Sequence, residues 1–132
     1  MPVRATKNAA AFDLCAAEPA VITRGMVTIV GTGIGWEPDD TGLLGLILPR
    51  SGLAATHGIM VVNSPGLIDA DYRGEIKVIL TCVKFSPFAI NPGDRIAQLL
   101  IMRAVDVSLV LRAKEFVSNT ERAVGGLGST GR

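Results

Sequence analysis

The sequence predicts an all-β protein, and two features of the chain lead to that prediction. Short runs of strand-forming residues recur along its 132 residues, and turns rich in glycine and proline separate them. This spacing is typical of a β-sandwich or barrel. No stretch has the helical repeat of apolar residues, apart from a single turn near Ser51. We therefore expect one domain, because a chain of this length can bury one core and is too short for two.

Several stretches have the residue types of β-strands. They are residues 10–17, 26–30, 43–48, 75–83, 95–102 and 105–111. The glycine-rich residues 31–35 suggest a dinucleotide-binding loop, but their spacing differs from that motif. The residues that follow, Trp36 to Asp40, cannot open a helix, so we predict an ordinary loop for 31–35.

The composition argues against several classes of partner. The net charge is +1, from 13 Lys plus Arg against 12 Asp plus Glu, so no bulk field attracts nucleic acid or an anionic membrane. No apolar run approaches the roughly 20 residues that span a bilayer. Residues 1–6 lack the apolar core of a signal peptide. We therefore expect a cytoplasmic protein with no membrane or nucleic-acid partner, in which Cys15 and Cys82 are reduced core residues.

The proportion of charged residues is low. It is 19% in this chain, against roughly 25% in typical soluble domains. Part of the surface is therefore expected to be buried against other subunits, although an unusually apolar monomer would have the same composition.

Residues 63–75 form the stretch around which the rest of the chain is organised. Asp69, Asp71, Tyr72 and Arg73 lie between two apolar segments, in what we expect to be one tight reversal. In an extended chain, Asp69 and Asp71 would share a face, because side chains alternate with a period of two. Taken alone, these residues fit a solvated surface hairpin as well as a functional site.

An anion site is predicted where the strand at 43–48 ends. Arg50 and Ser51 follow that strand and precede a short helical turn. Guanidinium, hydroxyl and backbone N–H groups all suit phosphate, although Ser51 could instead be a simple helix cap. His57 is the only histidine and has no second ligand or nucleophile at a recognisable spacing, so we assign it a structural role.

Two polar residues lie within apolar segments. Asp13 has small and apolar neighbours, and Gln98 lies in an almost wholly apolar strand. A buried polar side chain is costly unless it is hydrogen-bonded. Each residue is therefore expected to belong to a polar network or to contact a ligand.

The C-terminal residues allow two interpretations. Periodicity fades from Ala113 on, and residues 125–131 contain four glycines, Ser129 and Thr130. They form either a disordered terminus or an arm whose backbone closes on an anion. They do not form a P-loop, because the lysine is absent and no helix follows.

In combination, these motifs resemble those of the trimeric deoxyuridine triphosphatase (dUTPase) family over essentially the whole chain. The five motifs, in the family's order, are residues 11–14 (AFDL), 49–54 (PRSGLA), 66–75 (GLIDADYRGE), 93–99 (GDRIAQL) and 122–131 (RAVGGLGSTG). The second, third and fourth match closely. The resemblance implies a jelly-roll or distorted β-barrel subunit in a homotrimer. Residues 1–112 would form the core, and residues 113–132 a flexible arm that closes over a site at a subunit junction.

The resemblance also implies a reaction, the Mg²⁺-dependent hydrolysis of dUTP to dUMP and pyrophosphate. Asp69 would activate the attacking water, and Gln98 would contact that water or the phosphate chain. Tyr72 would lie against the deoxyribose and exclude a 2′-hydroxyl. Mg²⁺ would bind phosphate oxygens and water, with Asp13 reaching it only through water. The other implied substrate contacts are Asn63, Leu67 and Lys77 at the uracil, Arg50, Ser51 and Gly52 at the phosphates, and Arg122, Leu127, Gly128, Ser129 and Thr130 in the arm.

The first and fifth motifs depart from the family pattern. Leu127 stands where a phenylalanine usually stacks on the uracil, and such stacking contributes about 1–3 kcal/mol. We therefore predict a Michaelis constant raised on the order of tenfold. In the first motif, Ala11 and Phe12 replace the usual glycine and tyrosine, so a hydroxyl is absent.

Two other functions compete with this one. The related dCTP deaminase shares the fold and part of the Arg-Ser motif, but residues 69–74 keep the hydrolase sequence. A catalytically weak dUTPase-like protein could instead bind a regulatory partner. In that case the loop at 31–40, which carries the lone Trp36, is the candidate surface.

Overall fold

The computed structural model describes residues 1–107, which form nine short strands and one helix. The strands are β1 (Phe12–Cys15), β2 (Ala20–Ile22), β3 (Thr28–Gly35), β4 (Leu43–Leu48), β5 (Ile59–Val61), β6 (Gly66–Ile68), β7 (Glu75–Cys82), β8 (Phe88–Ile90) and β9 (Arg95–Arg103), and the helix is α1 (Ser51–His57). The predicted all-β class is confirmed. The strands predicted at 43–48, 75–83 and 95–102 are present with almost the same bounds, and α1 is the helical turn expected near Ser51.

The strands pair antiparallel in three sheets. The largest has the order β1-β9-β4-β6, a second has the order β3-β7-β5, and β2 pairs with β8. Strands β4 and β9 are the most continuously apolar in sequence and occupy the centre of the largest sheet, where both edges of each strand are paired. This central position brings residues from distant parts of the chain to the two ends of β4 and β9.

One hydrophobic core joins the three sheets. In β7, Ile76, Val78, Leu80 and Cys82 are buried and alternate with more exposed residues, as the two-residue period of a strand requires. Buried side chains from the other strands complete the core; they include Leu14, Ile22, Val30, Ile47, Ile59, Ile90, Ile96 and Leu99. Cys82 is buried and Cys15 is partly buried, and neither forms a disulfide.

The loop predicted at residues 31–35 is wrong, because β3 continues to Gly35. The pairing of β3 with β7 shifts register between Gly31 and Gly35, and Gly33 has φ of 66°. Glycine adopts this left-handed backbone without steric penalty, so the strand passes through an irregularity and does not end. The buried hydroxyl of Thr32 closes the gap by donating to the carbonyl of Ile76 at 2.7 Å.

A strand is predicted at residues 105–111, of which the structure describes 105–107, and these three residues do not form a strand. β9 ends at Arg103, and residues 105–107 have no regular structure. Residues 108–111, and with them the predicted boundary between core and arm at 112, lie outside the described residues. Within residues 1–107, the single helix has seven residues, and no helix is long and apolar enough to cross a membrane.

Candidate functional site

Three neighbouring strands bring Asp13, Arg50 and Gln98 to one region of the largest sheet. Asp13 on β1 is directly opposite Gln98 on β9, and Gln98 is directly opposite Leu48 at the end of β4. Arg50 follows Leu48 by two residues. The network predicted around the lone carboxylate of Asp13 therefore forms where β4 ends.

Asp13 is a buried carboxylate that two guanidinium groups hold. Its side chain is 6% exposed, and Arg95 Nη1 donates to its Oδ2 at 3.1 Å. Arg50 Nε lies 3.6 Å from Oδ1, which is an ionic contact and too long for a hydrogen bond. A buried carboxylate without such partners would be strongly destabilising. Asp13 and Arg50 are predicted from the sequence as site residues, whereas Arg95 is not.

A cavity of about 250 Å³ opens beside these two arginines. Its walls are formed by Arg50, Leu53, Phe88, Asp94, Arg95 and Ile96. The side chain of Arg50 is 23% exposed and that of Arg95 is 50% exposed, so both guanidinium groups can reach a bound ligand. The two guanidinium groups are balanced in formal charge by Asp13 beside the cavity and Asp94 in its wall, and their N–H groups are the donors that an anion in the cavity would use.

Helix α1 begins directly at this cavity. Arg50 is its N-cap, with extended backbone angles, φ −88° and ψ 125°, and its carbonyl accepts a hydrogen bond from Ala54 N at 3.0 Å. No side chain caps the helix. The alternative interpretation of Ser51 as the helix cap is therefore wrong. Ser51 and Gly52 are exposed in the first turn, so they are available to a ligand.

The remaining predicted residues of the core lie in the connection from β5 to β6, on β6, on β7 and in the connection between β6 and β7. β6 pairs with β4, whereas β7 pairs with β3 and β5. The tight hairpin predicted for residues 63–75 is therefore wrong, because the connection crosses from one sheet to another. Hydrogen bonds within the connection order it: Tyr72 N donates to Asp69 O at 3.1 Å, the Tyr72 hydroxyl donates to Glu75 O at 2.8 Å, and Arg73 Nη1 donates to the carbonyls of Ala70 and Tyr72 at 2.7 and 3.1 Å.

All five predicted functional side chains in this part of the chain are exposed; they are Asn63, Leu67, Asp69, Tyr72 and Lys77. Leu67 is 57% exposed, as are apolar residues on other strands, such as Val21 and Ile29 at 59% each, and single exposed apolar side chains are common on protein surfaces. Lys77 Nζ lies 3.9 Å from Glu75 Oε2. Glu75 in turn accepts a hydrogen bond from Gly33 N at 2.8 Å, which ties this surface to the irregular part of β3.

The two groups of site residues do not meet within one chain. Ile68, which precedes Asp69, is opposite Gly45, and Gly45 is opposite Ile101. Ile68 is therefore two strands away from β9, and the residue that lies level with it on β9, Ile101, is three residues from Gln98. With strands about 4.8 Å apart and a rise of about 3.4 Å per residue, the separation of the two Cα atoms is about 14 Å. A water held by Asp69 could not contact Gln98 of the same chain.

The described residues offer few ligands to a metal ion. Within residues 1–107, no group of three or more His, Cys, Asp or Glu side chains lies close enough to hold one. Asp13 is already shared between Arg50 and Arg95. This set of groups fits Mg²⁺ that is held mainly by phosphate oxygens and water, which is a common arrangement for this ion.

Other predicted residues are placed as follows. His57 packs its ring against Phe88, with centroids 4.6 Å apart and planes tilted by 45°, which agrees with a structural role. The arm residues Arg122, Leu127, Gly128, Ser129 and Thr130 lie outside the described part of the chain.

The fold and these side chains define a class of protein: a small all-β protein in which helix α1 begins beside a cavity lined by two arginines. The dUTPase family model matches residues 1–131. The curated deoxyuridine 5′-triphosphate nucleotidohydrolase of Nautilia profundicola is 46% identical over 100% of this chain and 91% of its own length. That of Neorickettsia sennetsu is 49% identical over 99% of this chain and 87% of its own length. The chain therefore belongs to the dUTPase family.

Solved structures agree with this assignment. A dUTPase of Staphylococcus bacteriophage 80alpha with dUpNHpp superposes with a TM-score of 0.83 at 26% identity, covering 100% of this chain and 92% of its own. The dUTPase of Streptococcus mutans superposes with a TM-score of 0.76 at 25% identity, over 82% of this chain and 88% of its own. The predicted family is confirmed, and so is the prediction that the chain is an enzyme, a hydrolase of nucleotide metabolism.

Proposed function

We propose that this chain hydrolyses dUTP to dUMP and pyrophosphate. The observation that carries the proposal is the grouping of residues from three separate motifs in a dUTPase-family chain: Asp13 pairs with Gln98 across two strands and forms an ion pair with Arg50, which lines the cavity. The relatives at 46% and 49% identity are named for this reaction, and the phage relative was solved with dUpNHpp. In a cell, the reaction would keep dUTP out of DNA and supply dUMP for thymidylate. The proposed location is the cytoplasm.

Asp69 is the proposed general base. Its side chain is exposed, and no hydrogen bond or ion pair engages its carboxylate within the described part of the chain. The carboxylate takes a proton from a water molecule while the water oxygen attacks the α-phosphorus. The bond from that phosphorus to the bridging oxygen breaks, and pyrophosphate leaves in line with the attack.

Tyr72 is the proposed selector of the sugar. Because its hydroxyl donates a hydrogen bond to the carbonyl of Glu75, the ring has a fixed position. A fixed ring against C2′ of deoxyribose leaves no room for the additional hydroxyl of a ribonucleotide. The exposed backbone near Asn63, Leu67 and Lys77 would hydrogen-bond the uracil edge, where cytosine presents a donor in place of an acceptor and leaves site groups unpaired.

The phosphate chain is assigned to the cavity beside α1. Arg50 presents its guanidinium, and Ser51 and Gly52 present a hydroxyl and backbone N–H groups. Gln98 would contact the phosphate chain or the attacking water. Mg²⁺, bound to phosphate oxygens, would neutralise charge on the triphosphate, and Asp13 would contact its hydration shell only.

The complete site is proposed to form between subunits of a jelly-roll homotrimer. The separation of about 14 Å between the Asp69 region and Gln98 supports this arrangement, because the two groups must then come from different copies of the chain. Closed symmetry of this kind is usual in oligomers. Residues 113–132 would form the arm, whose Arg122, Leu127, Gly128, Ser129 and Thr130 close the site over the substrate.

The experiment that tests the proposal is a measurement of pyrophosphate release from dUTP, dCTP, dTTP and UTP, each with Mg²⁺ and with a chelator. We expect release from dUTP alone, and only with the metal. Ammonia from dCTP would instead identify a deaminase. No product from any of the four nucleotides, in a sample with intact secondary structure, would favour the regulatory binding protein.

A further inference from the structure

Arg95 contacts both Asp13 and Arg50, and we propose that it is a positioning residue for Arg50. The inference rests on the proposed function, because Arg50 matters only if it holds a phosphate chain. In this arrangement Arg95 fixes Asp13, and Asp13 together with the Arg95 carbonyl fixes the guanidinium of Arg50. Without the Arg95 side chain, Arg50 keeps its charge and its hydrogen bond to the carbonyl of residue 95, but the carboxylate that orients its Nε is no longer fixed.

A β-bulge aims the Arg95 side chain at Asp13. Leu14 pairs with Ala97, but the next residue of β1, Cys15, pairs with Arg95, so Ile96 is an additional residue in β9. In a regular strand, residues 95 and 98 would point to opposite faces, because their separation is odd. The additional residue reverses that alternation and brings Arg95 to the face that Gln98 shares with Asp13.

The burial pattern of β9 agrees with this description. Ile96 and Ala97 are consecutive and both buried, at 2% and 0% exposure, as expected where an additional residue interrupts the alternation of a strand. Bulges commonly redirect a side chain beside an active site. The irregularity in β9 is therefore the element of the fold that places a second guanidinium at the cavity.

Arg50 is held at two points, one by the main chain of residue 95 and the other by Asp13, which the Arg95 side chain holds in turn. Its Nη1 donates to the backbone carbonyl of Arg95 at 2.8 Å, and its Nε faces Asp13 Oδ1 at 3.6 Å. The other oxygen of Asp13 accepts from Arg95 Nη1 at 3.1 Å. If the Arg95 side chain is removed, this buried carboxylate keeps one cationic partner only and is drawn toward it. The guanidinium of Arg50 then changes its position relative to the cavity.

The effects of a substitution on kcat and on KM distinguish a residue that positions Arg50 from a residue that binds phosphate directly. An orienting residue mainly affects kcat, because misplacement of a reacting group by about 1 Å can slow a reaction about 100-fold. The charge of Arg50, which attracts the triphosphate, remains in place, so KM changes little. A residue that binds phosphate directly would instead raise KM.

The test compares Arg95→Gln and Arg95→Lys with Arg103→Gln in the full-length protein. Arg103 is a matched control, because it is an arginine on the same strand that pairs with a carboxylate, Asp40, away from the site. For Arg95→Gln we expect kcat to fall about 10- to 100-fold with KM within about threefold of wild type. Arg95→Lys should recover part of kcat, since lysine restores the charge but not the planar fork.

A double variant tests the route through Asp13. If Arg95 acts through that carboxylate, Asp13→Asn with Arg95→Gln should be no slower than Asp13→Asn alone. Independent, multiplying losses would overturn the proposal. So would a large rise in KM for Arg95→Gln with kcat unchanged, or a kcat equal to that of Arg103→Gln.

A measurement that does not depend on catalysis tests this inference independently of the proposed function. The Nε–Hε cross-peak of Arg50 in a ¹H–¹⁵N spectrum, assigned by its loss in Arg50→Lys, reports the environment of that guanidinium. We expect it to shift in Arg95→Gln and to stay in place in Arg103→Gln. An unchanged cross-peak overturns the inference. If the wild-type protein releases no pyrophosphate from dUTP, the proposed function fails, and the cross-peak still decides whether Arg95 orients Arg50.

Discussion

Tyr72 folds back over Gly74, and its hydroxyl donates to the carbonyl of Glu75 at 2.8 Å. A Cβ at residue 74 would lie 2.6 Å from Cζ of the Tyr72 ring, closer than real Cβ contacts come. The space for the ring therefore exists only because residue 74 is a glycine. Since Tyr72 is still 41% exposed, one side of the ring remains open to a ligand.

We predict that Gly74→Ala lowers the selectivity for the deoxyribose. The methyl group displaces the ring, which then no longer blocks the space of a 2′-hydroxyl, so the ratio of kcat/KM for dUTP over UTP should fall about tenfold or more. Gly35→Ala is the matched control, because nothing lies within 4 Å of a Cβ at that position. Equal selectivity in the two variants would show that the position of Tyr72 does not select the sugar.

Asp69→Asn should remove most of the activity without unfolding the protein. An amide cannot accept the proton of the attacking water, and loss of a general base lowers kcat by about 100- to 10,000-fold. The side chain is exposed, so the melting temperature should stay close to that of wild type. Asp71→Asn, two residues on and equally exposed, serves as the control for surface charge. A similar loss in both variants would argue against Asp69 as the specific base.

The grouping of polar residues at Asp13, Arg50 and Gln98 was partly predictable from sequence, because such side chains are conspicuous in or beside apolar strands. A carboxylate among apolar residues at Asp13 and an amide in an apolar strand at Gln98 both need partners. What the sequence could not reveal was which partner Asp13 has. The role of Arg95 depends on one additional residue in β9, and a single-residue bulge leaves no periodic signal that distinguishes it from a regular strand.

The errors in the predicted fold have a common physical origin. Glycines at 31–35 were interpreted as a loop, yet β3 uses them to pass an irregular register against β7. Likewise, residues 63–75 have the composition of a hairpin, but β6 joins a different sheet from β7. Turn residues indicate where the chain bends; which strand it pairs with afterwards is decided by long-range packing.

Thr32→Val should destabilise the fold while leaving the chemistry intact. The Thr32 hydroxyl donates to Ile76 O at 2.7 Å and accepts from Ile34 N at 3.3 Å, so an isosteric valine removes the hydroxyl partner of one buried and one partly buried backbone group. We expect a loss of about 1–3 kcal/mol in the free energy of unfolding, measured in urea at fixed protein concentration. Thr32→Ser retains the hydroxyl and should lose much less. Equal stability of the two variants would contradict this account.

The stability contributed by Asp40 should depend on pH. The N–H of Gly42, at 2.8 Å, and then the guanidinium of Arg103, at 2.6 Å, hold the pKa of the Asp40 carboxyl below its ordinary value of 3.8. A pKa that is lower in the folded state means that the contribution is fully present above pH 3.8 and is lost as the pH falls through the folded pKa.

Asp40→Asn should therefore melt below wild type at neutral pH, and the difference should shrink as the pH falls below 3.8 and disappear below the folded pKa. Asp39→Asn, a neighbouring exposed carboxylate, is the control for net charge. A difference between wild type and Asp40→Asn that stays constant from neutral to acidic pH would rule out this origin.

Leu127→Phe should strengthen substrate binding. Residue 127 lies outside the described part of the chain, and the prediction rests on its place in the fifth motif, where a phenylalanine usually stacks on the base. Leucine keeps some apolar contact but not the stacking, so restoring the ring should lower KM for dUTP about tenfold. Because stacking acts on the substrate and the transition state alike, kcat should change little. Leu127→Ala is the paired variant and should raise KM; an unchanged or higher KM in Leu127→Phe would mean that residue 127 does not face the uracil.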